Sequence, residues 1–272
     1  MRRIIAPADP RQPCWAGYRE LLERLEQTRF PGAESLNRLL PPGAVSGGGR
    51  PIRFVPASRL PGVAYERHIH ETGEVSTREE NRHDLFNALV WCRLPRMKSA
   101  LNALHHAHLA EERDGRRGRY RDALTLLDES GVIVVSSNLA LLQALAARDW
   151  ARAFTALKEA WQRDTHTVIC GHAVLEKLNA PYKSITAHAL LLYVEPPGTL
   201  PHSDEFPDWI DRELGRRLPR GLCASPADLS PLPLMGIPGW WAGSSQDAAF
   251  YDDPSVFRAA PAGLRAATIH RF

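Results

Sequence analysis

Between Asn81 and His108 the chain reads NRHDLFNALVWCRLPRMKSALNALHHAH, with His, Asp, Asn and Lys set among apolar residues at helical intervals. On a helix of about 100° per residue, His83 and Asn87 share one side with Asp84 nearby, while Leu85, Phe86, Ala88, Leu89 and Cys92 fill the rest. Pro95 then restarts a second helix, on which Lys98, Asn102, His105 and His106 lie opposite Met97, Ala100, Leu101 and Leu104. Solvated helix faces ordinarily carry Lys and Glu. A face of His, Asp and Asn instead offers a group that titrates near neutrality, a carboxylate to orient it and amides to hold a substrate, with Lys to meet negative charge. His83 is therefore the expected general base or ligand, with Asp84 or Glu176 orienting it. Asn87 and Asn102 are the expected substrate-positioning amides and Lys98 the anion clamp. A plainer account is also available: Asn81 caps the helix, Asp84 sits in its first turn, and buried amides and imidazoles satisfy neighbouring backbone.

Other residues add to this set. His172 and Glu176 are spaced i, i+4 in GHAVLEK, on one side of a short helix. His68 and His70 alternate on an expected strand and would point the same way. Asp128 and Glu129 end another expected strand, where turn chemistry alone accounts for them. The loop RDGRRGRYR concentrates arginines, and Arg116, Arg117 and Arg121 are the expected grip on an anionic substrate. No GxSxG, P-loop or dinucleotide fingerprint is present, which leaves serine hydrolases, P-loop NTPases and Rossmann enzymes without support. Neither a cofactor nor a metal is specified.

These residues need elements to position them. Residues 15–28 carry Trp15, Tyr18, Leu22 and Leu25 at helical spacing, and Ser35 is placed to cap a short second helix. A Pro/Gly-rich connector follows, then the strand candidates PIRFVPA and GVAYERHIH, the second ending at the turn ETGE. Ala123–Asp128 and Val132–Ser136 read as a hairpin with Gly131 in a left-handed position. The helix pair over 81–108, joined through a short break, permits an antiparallel arrangement that brings its two polar stripes together. Asn138 and Asp149 cap two further helices, the second bearing Trp150, Phe154, Leu157 and Trp161. HTVIC and ITAHALLLYVE are strands, and GHAVLEKLN and FPDWIDRELGRRL are helices. Such a mixture predicts an α+β fold with a small mixed or antiparallel sheet. Half of the 22 Pro fall beyond residue 195, where aromatic residues are also dense, so residues 196–272 are expected to wrap the body.

A chain of 272 residues buries a core without metals or disulfides, and a single domain is expected: N-terminal helices over 15–40, core over 51–195, cover over 196–272. Its formal net charge is only +3, so nothing general favours nucleic acid or an anionic membrane. Four Cys lie far apart with no CxxC pair, the pattern of buried thiols. The longest apolar runs are strand-sized, and the N-terminal apolar run is broken early, which predicts a cytoplasmic protein with no membrane partner. Oligomeric state is left open.

VSTREENRHDLFNALVWCRLPRMKSALNALH resembles a bacterial family known as domain of unknown function 3025. The likeness continues through GRYRDALTLLDESGVIV, GHAVLEKLNAPYKSITAHALLL and PLPLMGIPGWWAGSSQDAAFYDDPSVFR. It implies a bacterial, soluble, single-domain protein, and selects Arg78, Asn81, His83, Asp84, Asn87, Lys98, Asn102, Asp122, Asp128, His172, Glu176 and Lys177; His68 and His70 are not among these positions. Arg78 joins the arginine loop as an expected substrate contact. The residues together suggest a hydrolase acting on a phosphorylated or nucleic-acid substrate. Two rivals are a non-enzymatic anion-binding protein and a structural network that pins the C-terminal segment to the helix pair.

Overall fold

A computed structural model describes residues 10–25, 30–59, 65–109, 118–195, 200–263 and 265–272. A 3₁₀ turn, Pro13–Tyr18, runs into helix α1, Arg19–Arg24. Trp15, Tyr18, Leu22 and Leu25 are all buried, and the Tyr18 hydroxyl donates to the Ile169 carbonyl at 2.6 Å. Helix α2, Ala33–Asn37, starts from Gly32 and not from Ser35, whose hydroxyl accepts from Arg38. Strand β1, Arg53–Pro56, falls within PIRFVPA as expected.

The next two elements correct the sequence reading. GVAYERHIH is not a strand where it is described: Tyr65–Thr72 form helix α3, and strand β2, Glu74–Thr77, begins inside ETGE, where a turn is expected. Gly73, at φ +77°, is the reason. It takes the left-handed position that ends a helix, its N–H on the Ile69 carbonyl at 2.8 Å, and the extended chain starts at once beyond it. β1 and β2 form a two-stranded parallel sheet.

Helices α4, Arg82–Arg93, and α5, Pro95–Ala107, have only Leu94 between them. They are not closed face to face on their polar stripes. α4 turns its polar side to helix α9, His172–Leu178, and α5 turns its own to α3 and to helix α6, Arg119–Ser130. Residues 119–130 are thus not the first arm of a hairpin. Ala123, Leu124 and Leu127 form the buried stripe of α6, a 3.6-residue repeat that outweighs the turn chemistry of Asp-Glu-Ser-Gly. α6 passes directly into strand β3, Gly131–Ser136, buried at every position and therefore covered on both faces.

Helix α7, Leu139–Ala147, is capped by Asn138, which accepts the Leu141 N–H at 3.1 Å. Asp149 accepts the Arg152 N–H at 3.1 Å, but the helix expected after it is interrupted by a π turn, Arg152–Ala156, before α8, Lys158–Arg163. The Trp161 indole N–H occupies the Ala153 carbonyl at 2.9 Å, and the Leu157 N–H bonds one residue further back, to Arg152. Strand β4, Thr165–Ile169, helix α9, strand β5, Thr186–Tyr193, and helix α10, Phe206–Arg217, agree with the expected elements. Strand β6, Ser230–Pro233, helix α11, Ala248–Tyr251, and strand β7, Ile269–Arg271, complete the chain.

The fold is α+β. Its main sheet is mixed, in the order β4-β3-β5-β6, with β7 beside the far half of β5. β3 runs parallel to β5 and antiparallel to β4. The C-terminal segment does more than cover the body, because β6 and β7 share one edge of β5. Two prolines fit β6, which is an edge strand. Tyr251 and Phe257 pack on Phe154 with ring centroids 5.7 and 6.0 Å away, and the Trp150 indole donates to the Arg258 carbonyl at 2.7 Å. No helix among the described residues is long and apolar enough to cross a membrane.

One close approach fixes how two of the helices leave the sheet. Gly131, expected in a left-handed turn, is extended at φ −75°; its glycine requirement is spatial. A Cβ there would stand 2.2 Å from the Leu127 carbonyl oxygen and 2.6 Å from Cys170 Sγ. A Cβ on Gly171 would stand 2.3 Å from the Gly131 nitrogen. The two junctions, α6 to β3 and β4 to α9, thus touch backbone to backbone, with the Gly171 N–H donating to the Gly131 carbonyl at 2.8 Å. Gly171→Ala is expected to cost about 1–3 kcal/mol or more, since the atoms it strikes are main chain and cannot rotate away; urea unfolding measures it.

Candidate functional site

That contact sets Asp128 and Glu129, at the end of α6, beside His172, the first residue of α9. α4 brings the second imidazole. It begins where Asn81 Oδ1 accepts the Asp84 N–H at 3.0 Å, as a cap should. The Asp84 carboxylate then takes the Arg78 backbone N–H at 2.8 Å and its guanidinium at 2.9 and 2.7 Å. Burial alone would raise the Asp84 pKa, but Arg78 outweighs it and holds the group below its usual range. Asp84 and Arg78 are committed to each other, so neither the expected orienting role nor the expected substrate contact is seen.

His83 faces α9. Its Nε2 lies 3.0 Å from His172 Nε2, with the ring planes at 76°. Glu176 Oε2 is 3.4 Å from His83 Nδ1, which favours the tautomer with the proton on Nδ1. His172 is only 5% exposed. Its Nδ1 has no hydrogen-bond partner among the described residues, and the nearest carboxylate oxygen, Asp128 Oδ2, is 3.9 Å away. Burial is the main cause that lowers the His172 pKa; Asp128 opposes it, and Lys98 and His83 add to it. Glu129 Oε2 lies 3.9 Å from His172 Nε2 on the more exposed side.

Behind the imidazoles, Lys98 Nζ donates to Asp128 Oδ1 at 2.6 Å, with side-chain exposures of 7% and 14%. Burial works against ionisation of Asp128, and the ammonium overrides it, leaving the pKa below the ordinary value. Lys98 is thus neutralised in the interior and does not present the expected anion clamp. A small cavity with room for about one water is lined by Tyr65, Glu66, Lys98, Asn102, His105 and Asp128.

The two asparagines have structural partners. Asn87 Nδ2 donates to the Tyr65 hydroxyl at 2.8 Å. Asn102 Oδ1 accepts the Gly47 N–H at 3.0 Å, while its Nδ2 donates to the Glu66 carbonyl and carboxylate at 2.9 Å each. Asn102 therefore ties the Pro/Gly-rich connector and α3 to α5. Asn102→Ala is expected to lose about 1–3 kcal/mol of stability, because the Gly47 N–H loses its acceptor and the Glu66 groups their donor; thermal unfolding reads the loss.

His68 pairs with Glu74, and His70 stacks on His106 with centroids 3.8 Å apart. None of these three imidazoles joins the His83–His172 pair. Arg121 is buried on α6. Arg113, Arg116 and Arg117 lie outside the described residues. A groove of about 1420 Å³ lies among α1, α5 and α10 and is lined by none of the expected site residues. Asp128 and Glu129 join the site although turn chemistry suffices to explain them in the sequence. Their signal is the pair of glycines, Gly131 and Gly171, which mark a close backbone approach.

The fold is α+β and, at the meeting of α4, α6 and α9, it holds two imidazoles backed by carboxylates. Over residues 52–260 the chain matches the family model described as Protein of unknown function (DUF3025), and it belongs to that family. No curated protein and no solved structure matches it.

Proposed function

We propose that the chain is a hydrolase whose water-activating centre is the His83–His172 pair, acting on a phosphorylated or nucleic-acid substrate. The observation that carries this reading is the 3.0 Å approach of the two Nε2 atoms, with Glu176 behind one ring and Asp128 near the other. The two Nε2 atoms face one another and each Nδ1 lies on the side of a carboxylate, a pairing of proton-carrying groups that supports general acid–base chemistry at the partly exposed His83 side. His83 is near the N-terminus of α4, whose positive dipole end favours an anionic substrate.

The test is hydrolysis of a panel of aryl phosphomonoesters, aryl phosphodiesters and single-stranded DNA and RNA by the full chain, beside His83→Ala. Turnover by the wild type that fails in the variant is the expected result. A wild type inert on every member, or an equally active variant, overturns the reading.

A further inference from the structure

Building on that catalytic reading, we infer that His83 Nε2, His172 Nε2 and a Glu129 carboxylate oxygen form a binding site for one divalent transition-metal ion of the zinc type. Among the described residues these three are the set of His, Cys and carboxylate groups whose ligand atoms converge, all lying within 4.8 Å of one another.

With both rings neutral the protons around them do not balance, and a positive charge between the two Nε2 atoms, a third proton or a metal ion, is needed. With its Nδ1–H directed at Glu176, neutral His83 presents a lone pair at Nε2. If His172 carries its proton on Nε2 it can donate to that lone pair. Its buried Nδ1 then turns a second lone pair towards the Asp128 carboxylate, at 3.9 Å, and finds no donor. If the proton is on Nδ1, the contact with Asp128 becomes favourable, but two Nε2 lone pairs oppose one another at 3.0 Å. A metal ion held by both Nε2 atoms supplies that charge: each ring keeps its Nδ1–H on the side of a carboxylate and gives its lone pair to the ion, and the convergence of Glu129 on the same point, which a shared proton would not use, favours the metal.

Geometry and charge agree with this. Two nitrogens bound at about 2.0–2.1 Å with a tetrahedral angle stand ~3.3 Å apart, close to the observed 3.0 Å. Glu129 must come nearer, and its side chain, 45% exposed, is free to turn. Glu176 and Asp128 stand where outer carboxylates orient metal-bound imidazoles. Two imidazoles and one carboxylate suit Zn²⁺ and its neighbours, whereas Mg²⁺ and Ca²⁺ prefer oxygen alone. Three protein ligands, with His83 37% exposed, leave a position open to water on the solvent side. That is where an ion would lower the pKa of the attacking water.

The experiment is calorimetric titration of chelator-treated full-length protein with Zn²⁺, repeated with Co²⁺ to record its visible d–d spectrum. One ion per chain is expected, with Co²⁺ bands of a low-coordinate nitrogen/oxygen site. His83→Ala and Glu129→Gln, both at partly exposed positions, should weaken binding by about 100-fold or more and about 10-fold or more. Glu176→Gln should weaken it by about 10–100-fold. The exposed variant Glu34→Gln should bind as the wild type does. No stoichiometric binding, or binding unchanged in His83→Ala, overturns the inference. Hydrolysis assayed on the same samples separates the two claims: activity intact in protein that binds no ion removes the metal and keeps the hydrolase. Binding without hydrolysis of any panel substrate does the reverse.

Discussion

Lys98→Met is expected to destabilise the protein by about 3–5 kcal/mol, the cost of leaving a buried carboxylate without its partner. Asp128 is 14% exposed and its ammonium partner, the largest of the charges that favour its ionised form, stands at 2.6 Å. Urea unfolding at pH 7 measures the loss. Lys98→Met/Asp128→Leu should recover most of it, because an apolar pair of similar volume has no charge to desolvate. The pH dependence should change sign as well. In the wild type Asp128 is held below its ordinary value, so its contribution is complete above the unfolded carboxylate pKa near 3.9 and is lost as the pH falls through the folded value. Without Lys98, the largest charge opposing burial is gone, and burial is expected to lift the Asp128 pKa above its ordinary value. The folded variant then binds its proton more tightly than the unfolded chain, and it should gain stability on acidification over a range where the wild type does not.

On the proposed function, His83→Ala is expected to lower the hydrolytic rate by about 10²–10⁴, the usual worth of a positioned acid–base group, with stability changed by about 0.5–1.5 kcal/mol, the net worth of one hydrogen bond. The small stability effect follows from exposure. The His83 side chain is 37% exposed and that of Glu176 40%, so the one buried group that loses a partner is His172 Nε2, with Glu129 Oε2 next nearest at 3.9 Å. His172, at 5% exposure, is a poorer choice because its loss would mix packing with chemistry. Initial rates and thermal unfolding on the same preparation give both numbers. A His83→Ala chain that unfolds would identify the imidazole pair as a structural network. The structure assigns the pinning of the C-terminal segment to other residues: Asp211 accepts the Met97 N–H at 2.9 Å, and Arg93 pairs with Asp208 at 3.1 Å.

Much of this architecture is legible in the residues. The polar stripes and apolar remainder of 81–108 specify two helices, since each repeats at the helical period and Pro95 can only begin a new one. The unbroken apolar runs VIVVS and ALLLYV specify buried strands. Caps at Asn81 and Asn138 are readable because a short polar side chain before an apolar-periodic run has one favourable use.

The failures share a cause. At 65–77 and 119–131 a glycine follows polar residues, and the same letters serve a hairpin turn, a helix end or a close packing contact. Gly73 is a helix end and Gly131 a packing contact, and only their surroundings distinguish the two. The site shows the same division. The sequence by itself determined on which helices His83, Lys98, His172 and Glu176 stand, because helical periodicity is a local property. Tertiary structure alone decided their partners. It turned Asp84 to Arg78, placed Lys98 on Asp128, and set Glu129 beside His172. Two backbones meeting at Gly131 and Gly171 fix that choice, since the distances that pair charges are set by the packing of junctions about forty residues apart in the chain.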